Sequence, residues 1–204
     1  GAILQKLKEL DMEDNTMIVF LSDNGPATYT KVASSEPLKG GKLTEFQGGI
    51  RVPFILKWKN HFPENTIYDK SVSALDIFTT VAALCNIDLP TDRVYDGVNL
   101  IPYLSKQNEG TPHGKLFWRA DHVHAIVKGD YKLIYSTRDR WTELYNLKTD
   151  EGEKNNLYLL MPGKVKELND DLLEWEKTLP AKPMWPRIMD HRFMIDGKEY
   201  LFPS

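Results

Sequence analysis

Cysteine is nearly absent from this sequence: Cys85 stands alone among 204 residues. An internal disulfide is therefore excluded, and stability must come from packing. A strong excess of either charge is missing as well. Lysine and arginine number 26 against 29 aspartates and glutamates, for a formal charge of −3 and a pI near 6.0. That balance carries no electrostatic footprint for nucleic acid. No apolar run approaches the roughly 20 residues of a membrane span. The opening residues carry no signal-peptide pattern, and neither internal repeats nor low-complexity tracts occur. What is present is a globular composition, 41% hydrophobic and 11% aromatic, enough to build a core and too apolar for disorder. The length allows one large domain or two small ones.

The chain is organised around residues 16–53. An apolar run, M-I-V-F-L at 17–21, ends abruptly in S-D-N-G-P at 22–26. Its length, its Ile and Val and the turn residues after it predict a buried strand of a parallel sheet. In open α/β sheets ligands gather beyond the carboxyl ends of the strands, and Asp23 and Asn24 stand at such an end. Together they offer two hard oxygen ligands of the type that suits calcium or magnesium. The loop that follows delivers Lys42 directly after Gly40-Gly41, where backbone can come close to an anion. Each feature also has a plainer reading. Asp-Asn-Gly ends strands and builds turns in every kind of protein, and most lysines are simply solvated. Lys39, three residues earlier, is the chief rival of Lys42.

Around this centre the periodicities predict the remaining elements. Residues 2–12 carry Ile3, Leu7 and Leu10 at helical spacing, an amphipathic helix. Helix, short turn and buried strand make half of a βαβ unit, so a strand is expected to precede residue 1. Residues 26–49 read as a long loop of the kind that carries function. Residues 52–58 read as a second strand, with Pro53 at its start. Residues 71–87 predict a helix with Ser73 as N-cap and Asp76 in its first turn. Its expected buried face is Val72, Leu75, Phe78, Val81, Ala82 and Cys85, which makes Cys85 a buried, inert thiol. After a polar, turn-rich stretch at 88–114, short strands are predicted at 116–119, 125–128, 132–136 and 142–147. A helix follows at 165–175, opened near Pro162. Residues 180–204, with four prolines, are expected to drape over the surface without forming an element.

Three motifs follow one another in fixed order: S-D-N-G-P at 22–26, G-K at 41–42 and G-G-I-R-V-P at 48–53. With E-L-Y-N-L-K-T-D-E-G-E-K-N-N-L at 143–157, they resemble the C-terminal part of a sulfatase of the arylsulfatase type. The resemblance runs from about residue 3 to about residue 175. It implies an α/β fold: residues 1–110 as the C-terminal part of an alkaline-phosphatase-like α/β sandwich. Residues 111–179 would form a small four-stranded antiparallel sheet with a covering helix, and 180–204 an extended tail. It implies Asp23 and Asn24 as metal ligands for calcium, with magnesium as the alternative, and Lys42 as the sulfate-binding lysine. An amide oxygen at 24 suits calcium, where related phosphatases carry a histidine suited to zinc. Arg51 is expected in a buried ion pair or carbonyl clamp.

Arg119, Asp121, His122 and His124 read first as a solvated strand edge and second as contacts to the sugar or aryl part of a substrate. His124 stands where many sulfatases carry an arginine. The stretch 143–157 reads as turn architecture. Two things the family needs are missing from these residues: the C/S-x-P-x-R motif that yields the formylglycine nucleophile, and the paired aspartates that complete the metal shell. Both are expected in an N-terminal half. The implied function is therefore part of a sulfuric ester hydrolase acting on a sulfated small molecule or carbohydrate, inactive as this isolated chain. A metal-dependent phosphodiesterase or phosphonate hydrolase of the same superfamily is one alternative, and a non-catalytic folded fragment the other. The incomplete sheet implies self-association or pairing with an N-terminal sulfatase half. Family habit points to a periplasmic, secreted or lysosomal location.

Overall fold

Apolar runs and alternating strands fold into the elements α1 (Ala2–Glu9), β1 (Ile18–Leu21), α2 (Gln47–Ile50), β2 (Phe54–Lys57), α3 (Asp76–Leu84) and α4 (Ile101–Leu104). These are followed by β3 (Lys115–Ala120), β4 (Val123–Lys128), β5 (Tyr131–Ser136), β6 (Trp141–Asn146), α5 (Pro162–Glu176), β7 (Asp190–Ile195) and β8 (Lys198–Pro203). The computed structural model describes residues 1–180 and 189–204. They group into two units: Gly1–Phe20 with Phe54–Gly114, and Leu21–Pro53 with Lys115–Ser204.

In the first unit β1 pairs with β2. Met17, Val19, Phe54 and Leu56 share one small gap with Ile77, Thr80 and Leu100, so this face of the pair is covered. The other face is bare, with Phe20 62% and Ile55 58% exposed. The strand expected to be buried in a parallel sheet is therefore covered on one side only. Helix α3 departs from expectation more sharply. Its buried residues are Asp76, Thr79, Thr80 and Ala82, while Leu75, Phe78, Val81 and Cys85 are exposed. Hydrogen bonds decide this orientation. Asp76 and Thr80 accept backbone N–H groups from Val98 and Leu100, and the apolar edge stays open, with Phe78 exposed although its ring stacks on Tyr95. Cys85 is thus an exposed thiol.

In the second unit β3, β4, β5 and β6 form an antiparallel sheet in that order, with Ile126 opposite Leu133 and Ile134 opposite Glu143. Residue parity assigns the two faces. Ile126, Leu133 and Leu144 pack against Leu168 and Leu172 of α5, and Phe117 stacks on Trp175. Val123, Ala125, Ile134, Trp141 and Tyr145 pack on the opposite side with Phe46 and with Phe193, Tyr200 and Phe202. Each such buried side chain contributes roughly 1.5–3 kcal/mol.

The expectation of an extended tail at 180–204 is corrected here. Strands β7 and β8 form a hairpin, closed by a turn in which Asp196 and Gly197 both have positive φ. Alternation explains it: Phe193, Tyr200 and Phe202 are buried, and they close the face left open by α5. The part of that tail at 181–188 lies outside the described residues.

Candidate functional site

Both halves of the central motif belong to the second unit, and backbone hydrogen bonds join them. Strand β1 ends in a tight turn, where the Ser22 hydroxyl donates to the carbonyl of Asn24 at 2.8 Å. Asp23 Oδ1 accepts the N–H of Asn24 at 2.9 Å. The Asn24 amide nitrogen donates to the Gly25 carbonyl at 2.9 Å, which leaves the amide oxygen as the free end. The N–H of Gly25 then donates to the Gly49 carbonyl at 2.9 Å, and the N–H of Lys42 to the Pro26 carbonyl at 2.9 Å. The Asp-Asn turn and the lysine turn are therefore two strips of one surface.

Glycine is required at these crossings because of contact, not conformation. A Cβ on Gly25 would lie 1.7 Å from the Gly48 carbonyl oxygen, and one on Gly49 would lie 2.0 Å from that of Thr44. The Thr44 hydroxyl donates to the Gly41 carbonyl at 2.8 Å and shapes the lysine turn. Asp23 is exposed, Asn24 and Lys42 partly so. Acid and amide oxygens side by side fit part of a hard-cation shell. Among the described residues no group of three or more His, Cys, Asp or Glu side chains converges to complete one.

Lys39, the rival, is taken up elsewhere. It is 8% exposed, and its ammonium donates to Glu143, Tyr145 and Tyr200. Arg51 departs from the buried clamp expected of it. It meets Glu151 at 3.2 Å with both side chains more than half exposed, a pair worth at most about 1 kcal/mol. Arg119 and His124 face each other across β3 and β4. Arg119 donates to the Pro180 carbonyl at 3.1 Å.

The two histidines are not on a solvated edge: His122 is 6% and His124 8% exposed. His124 stacks on Tyr135 and bonds Glu176 of α5. His122 lies within reach of Asp121, Asp139 and the Leu201 carbonyl. Asp121, in the β3–β4 turn with φ of 46°, is exposed.

The stretch 143–157 does more than turn. Glu143, on the Phe46 side of β6, and Glu153, wholly buried with φ of 53°, reach under the lysine turn. Burial pushes the Glu143 carboxyl upward, but Lys198, Lys39 and the Tyr145 and Tyr200 hydroxyls outweigh it and hold its pKa below the ordinary value. Burial raises the phenols of Tyr145 and Tyr200, and Glu143 beside them adds to the effect.

Glu45 is the odd group of the loop. The residue is partly exposed, yet its Oε2 is buried and without a hydrogen-bond partner among the described residues. Burial pushes its pKa up to about 7. The folded chain therefore holds this proton more tightly than the unfolded chain. Its favourable contribution is complete below about pH 4.5 and fades as pH rises to about 7. Across that window the expected loss is up to about 3 kcal/mol. Glu45→Gln should remove this slope, so that urea midpoints of parent and variant diverge between pH 5 and 7.5, with the variant the more stable at the higher pH. Parallel pH profiles would contradict it.

Comparison with known proteins agrees with this architecture. The Sulfatase family pattern matches residues 1–87. The chain is 32% identical to the N-acetylgalactosamine-6-O-sulfatase of Bacteroides thetaiotaomicron, over 87% of this chain and 39% of that protein. It is 35% identical to the human N-acetylgalactosamine-6-sulfatase, over 70% of this chain and 27% of that protein. A solved structure of Ps i-CgsB in complex with k-i-k-neocarrahexaose superposes with a TM-score of 0.79 at 28% identity, covering 90% of this chain and 41% of that one. The fold is thus the mixed α/β architecture of the C-terminal region of a hydrolase family. The chain belongs to the sulfatase family. It spans less than two fifths of the length of these curated relatives. No helix among the described residues is long and apolar enough to cross a membrane.

Proposed function

We propose that this chain is the part of a sulfuric ester hydrolase that supplies two oxygen ligands, from Asp23 and Asn24, for a calcium ion, together with a sulfate-binding lysine, Lys42. The observation that carries the reading is the pair of hydrogen bonds, Gly25 to Gly49 and Lys42 to Pro26, that fastens the Asp-Asn turn to the lysine turn. The Asn24 amide nitrogen is spent on the Gly25 carbonyl, so its oxygen is the atom offered to a cation. Bound calcium would supply a fixed positive charge against the oxygens of the sulfate group. Lys42 would neutralise non-bridging oxygen charge as the ester S–O bond breaks, the preorganised kind of charge that often dominates catalysis. Lys39, held by Glu143 beneath the turn, is unsuited to that task.

The substrate class is a sulfated carbohydrate, in keeping with the N-acetylgalactosamine sulfatases this chain is similar to. No C/S-x-P-x-R motif occurs in these residues, so the nucleophile is not theirs to supply. The exposed apolar side chains of Phe20, Ile55 and Phe78 fit association with the remainder of a sulfatase.

The test has two arms. The purified chain alone should show no turnover of a chromogenic aryl sulfate or of 6-sulfated N-acetylgalactosamine. In a sulfatase completed with an N-terminal portion, Lys42→Ala should lower kcat by about 10²–10³-fold. Calcium-dependent turnover by the chain alone, or full activity of Lys42→Ala in the completed enzyme, would refute the reading.

A further inference from the structure

The turn that carries Lys42 is gripped from the sheet by two buried ion pairs, one on each side of Phe46. On one side the Lys39 ammonium reaches Glu143 Oε2 at 3.3 Å, the Tyr145 hydroxyl at 3.0 Å and the Tyr200 hydroxyl at 3.1 Å. It lies 4.3 Å from the centre of the Phe46 ring. Glu143 in turn accepts from Tyr145 at 2.7 Å, from Tyr200 at 2.8 Å and from Lys198. On the other side Lys132 and Glu153, both fully buried, pair at 2.7 Å. The Lys132 ammonium also donates to the Glu45 carbonyl, and Glu153 Oε2 accepts the N–H of Gln47 at 2.6 Å. The Lys39 carbonyl accepts the N–H of Gly48 at 2.7 Å. The grips therefore fall on residues 39, 45 and 47, on both sides of Lys42.

Stability alone is a poor explanation for this arrangement. Desolvation offsets most of the attraction in a buried pair, and apolar residues of similar volume often serve as well or better. What two pairs do provide is fixed geometry, because each carboxylate has several directional partners and few ways to satisfy them. We propose that Glu143 and Glu153 are positioning residues for Lys42, holding its turn in the conformation that receives a tetrahedral oxyanion. The proposal rests on the reading of Lys42 as the anion-binding lysine. It extends the site to Glu143 and Glu153 of the stretch 143–157.

The test uses the isotopically labelled chain, amide hydrogen exchange, and titration with sodium sulfate against sodium chloride of equal ionic strength. Glu143→Gln and Glu153→Gln should speed exchange at the amides of Lys42, Thr44, Gly48 and Gly49 by about ten-fold or more, while amides of Ile126 and Leu133 change less than about two-fold. The same variants should weaken the saturable sulfate response of the Gly41 and Lys42 amides by about ten-fold. Lys42→Met should abolish that response with the exchange pattern unchanged. Turn amides that keep their parent rates, or a uniform rise across turn and sheet, overturn the positioning role. A sulfate response that is absent from the parent, or survives Lys42→Met, overturns the reading of Lys42 itself, and is told apart because exchange is measured without sulfate.

Discussion

Gly25→Ala should destabilise the second unit by about 3 kcal/mol or more, a size reached only when a clash cannot relax. The added methyl would sit 1.7 Å from the Gly48 carbonyl oxygen, 2.8 Å from its carbonyl carbon and 3.0 Å from the Gly49 Cα. All three are backbone atoms, so no side chain can swing aside. The only relief is to part the two strips, which breaks the bond from the Gly25 N–H to the Gly49 carbonyl. Asp23 and Asn24 would then lose their register with Lys42, so stability and the proposed anion recognition should fall together. Gly163→Ala is the control. It lies in α5 with nothing within 4 Å of an added Cβ, and should raise stability by a few tenths to about 1 kcal/mol. Denaturant midpoints at constant slope measure both. A loss below about 1 kcal/mol for Gly25→Ala would mean that the strips are not in contact as described.

The same glycines show what could be read in advance and what could not. Local patterns were legible. The run at 17–21 and the short strand-like segments between turn residues from 115 to 146 gave β1 and β3 to β6 to within two or three residues, because apolar and β-branched runs bounded by turn residues are a local signal. The S-D-N-G-P and G-G-I-R-V-P motifs marked the residues of the proposed site, but the bond that joins Gly25 to Gly49 is long-range and has no local signature.

Lys132 and Glu143 are a different case, with a signal that parity alone would have exposed. Lys132 shares its face with Ile134 and Ser136, and Glu143 shares its face with Trp141 and Tyr145. A charge at an inward position of a strand must find a partner, so each pointed to a missing counter-charge. The turn residues that crowd 143–157 mask it. The tail failed for the opposite reason: its prolines suggested an extended path, yet the alternation of F-M-I and Y-L-F, with a Gly turn between, is a hairpin pattern.

Helix α3 gives the second large effect and the clearest case of propensity overruled. Asp76 looked like an ordinary first-turn acid, and its Oδ2 does accept the N–H of Ser73 at 2.7 Å, as a capping residue would. Its other contacts come from far along the chain. Oδ1 accepts the N–H of Val98 at 2.8 Å, and His113 Nε2 lies 2.8 and 2.9 Å from the two oxygens. The carboxylate is completely buried.

A helix of nine residues has little stability of its own, and most of its apolar edge is exposed, so Asp76, with Thr80 beside it, ties α3 to the 97–113 segment. Gly97 confirms how tight the tie is, since a Cβ there would lie 2.2 Å from the Leu75 carbonyl oxygen. Asp76→Ala should therefore cost about 3–5 kcal/mol, because two part-buried backbone donors and a largely buried imidazole lose their shared acceptor. Asp76→Asn keeps one acceptor oxygen and should cost roughly half as much. Both losses should appear in the first unit, as faster amide exchange at Val98 and Leu100, while the Ile126 and Leu133 amides of the second unit keep their protection. Equal losses in both units would show that Asp76 supports more than the helix it begins.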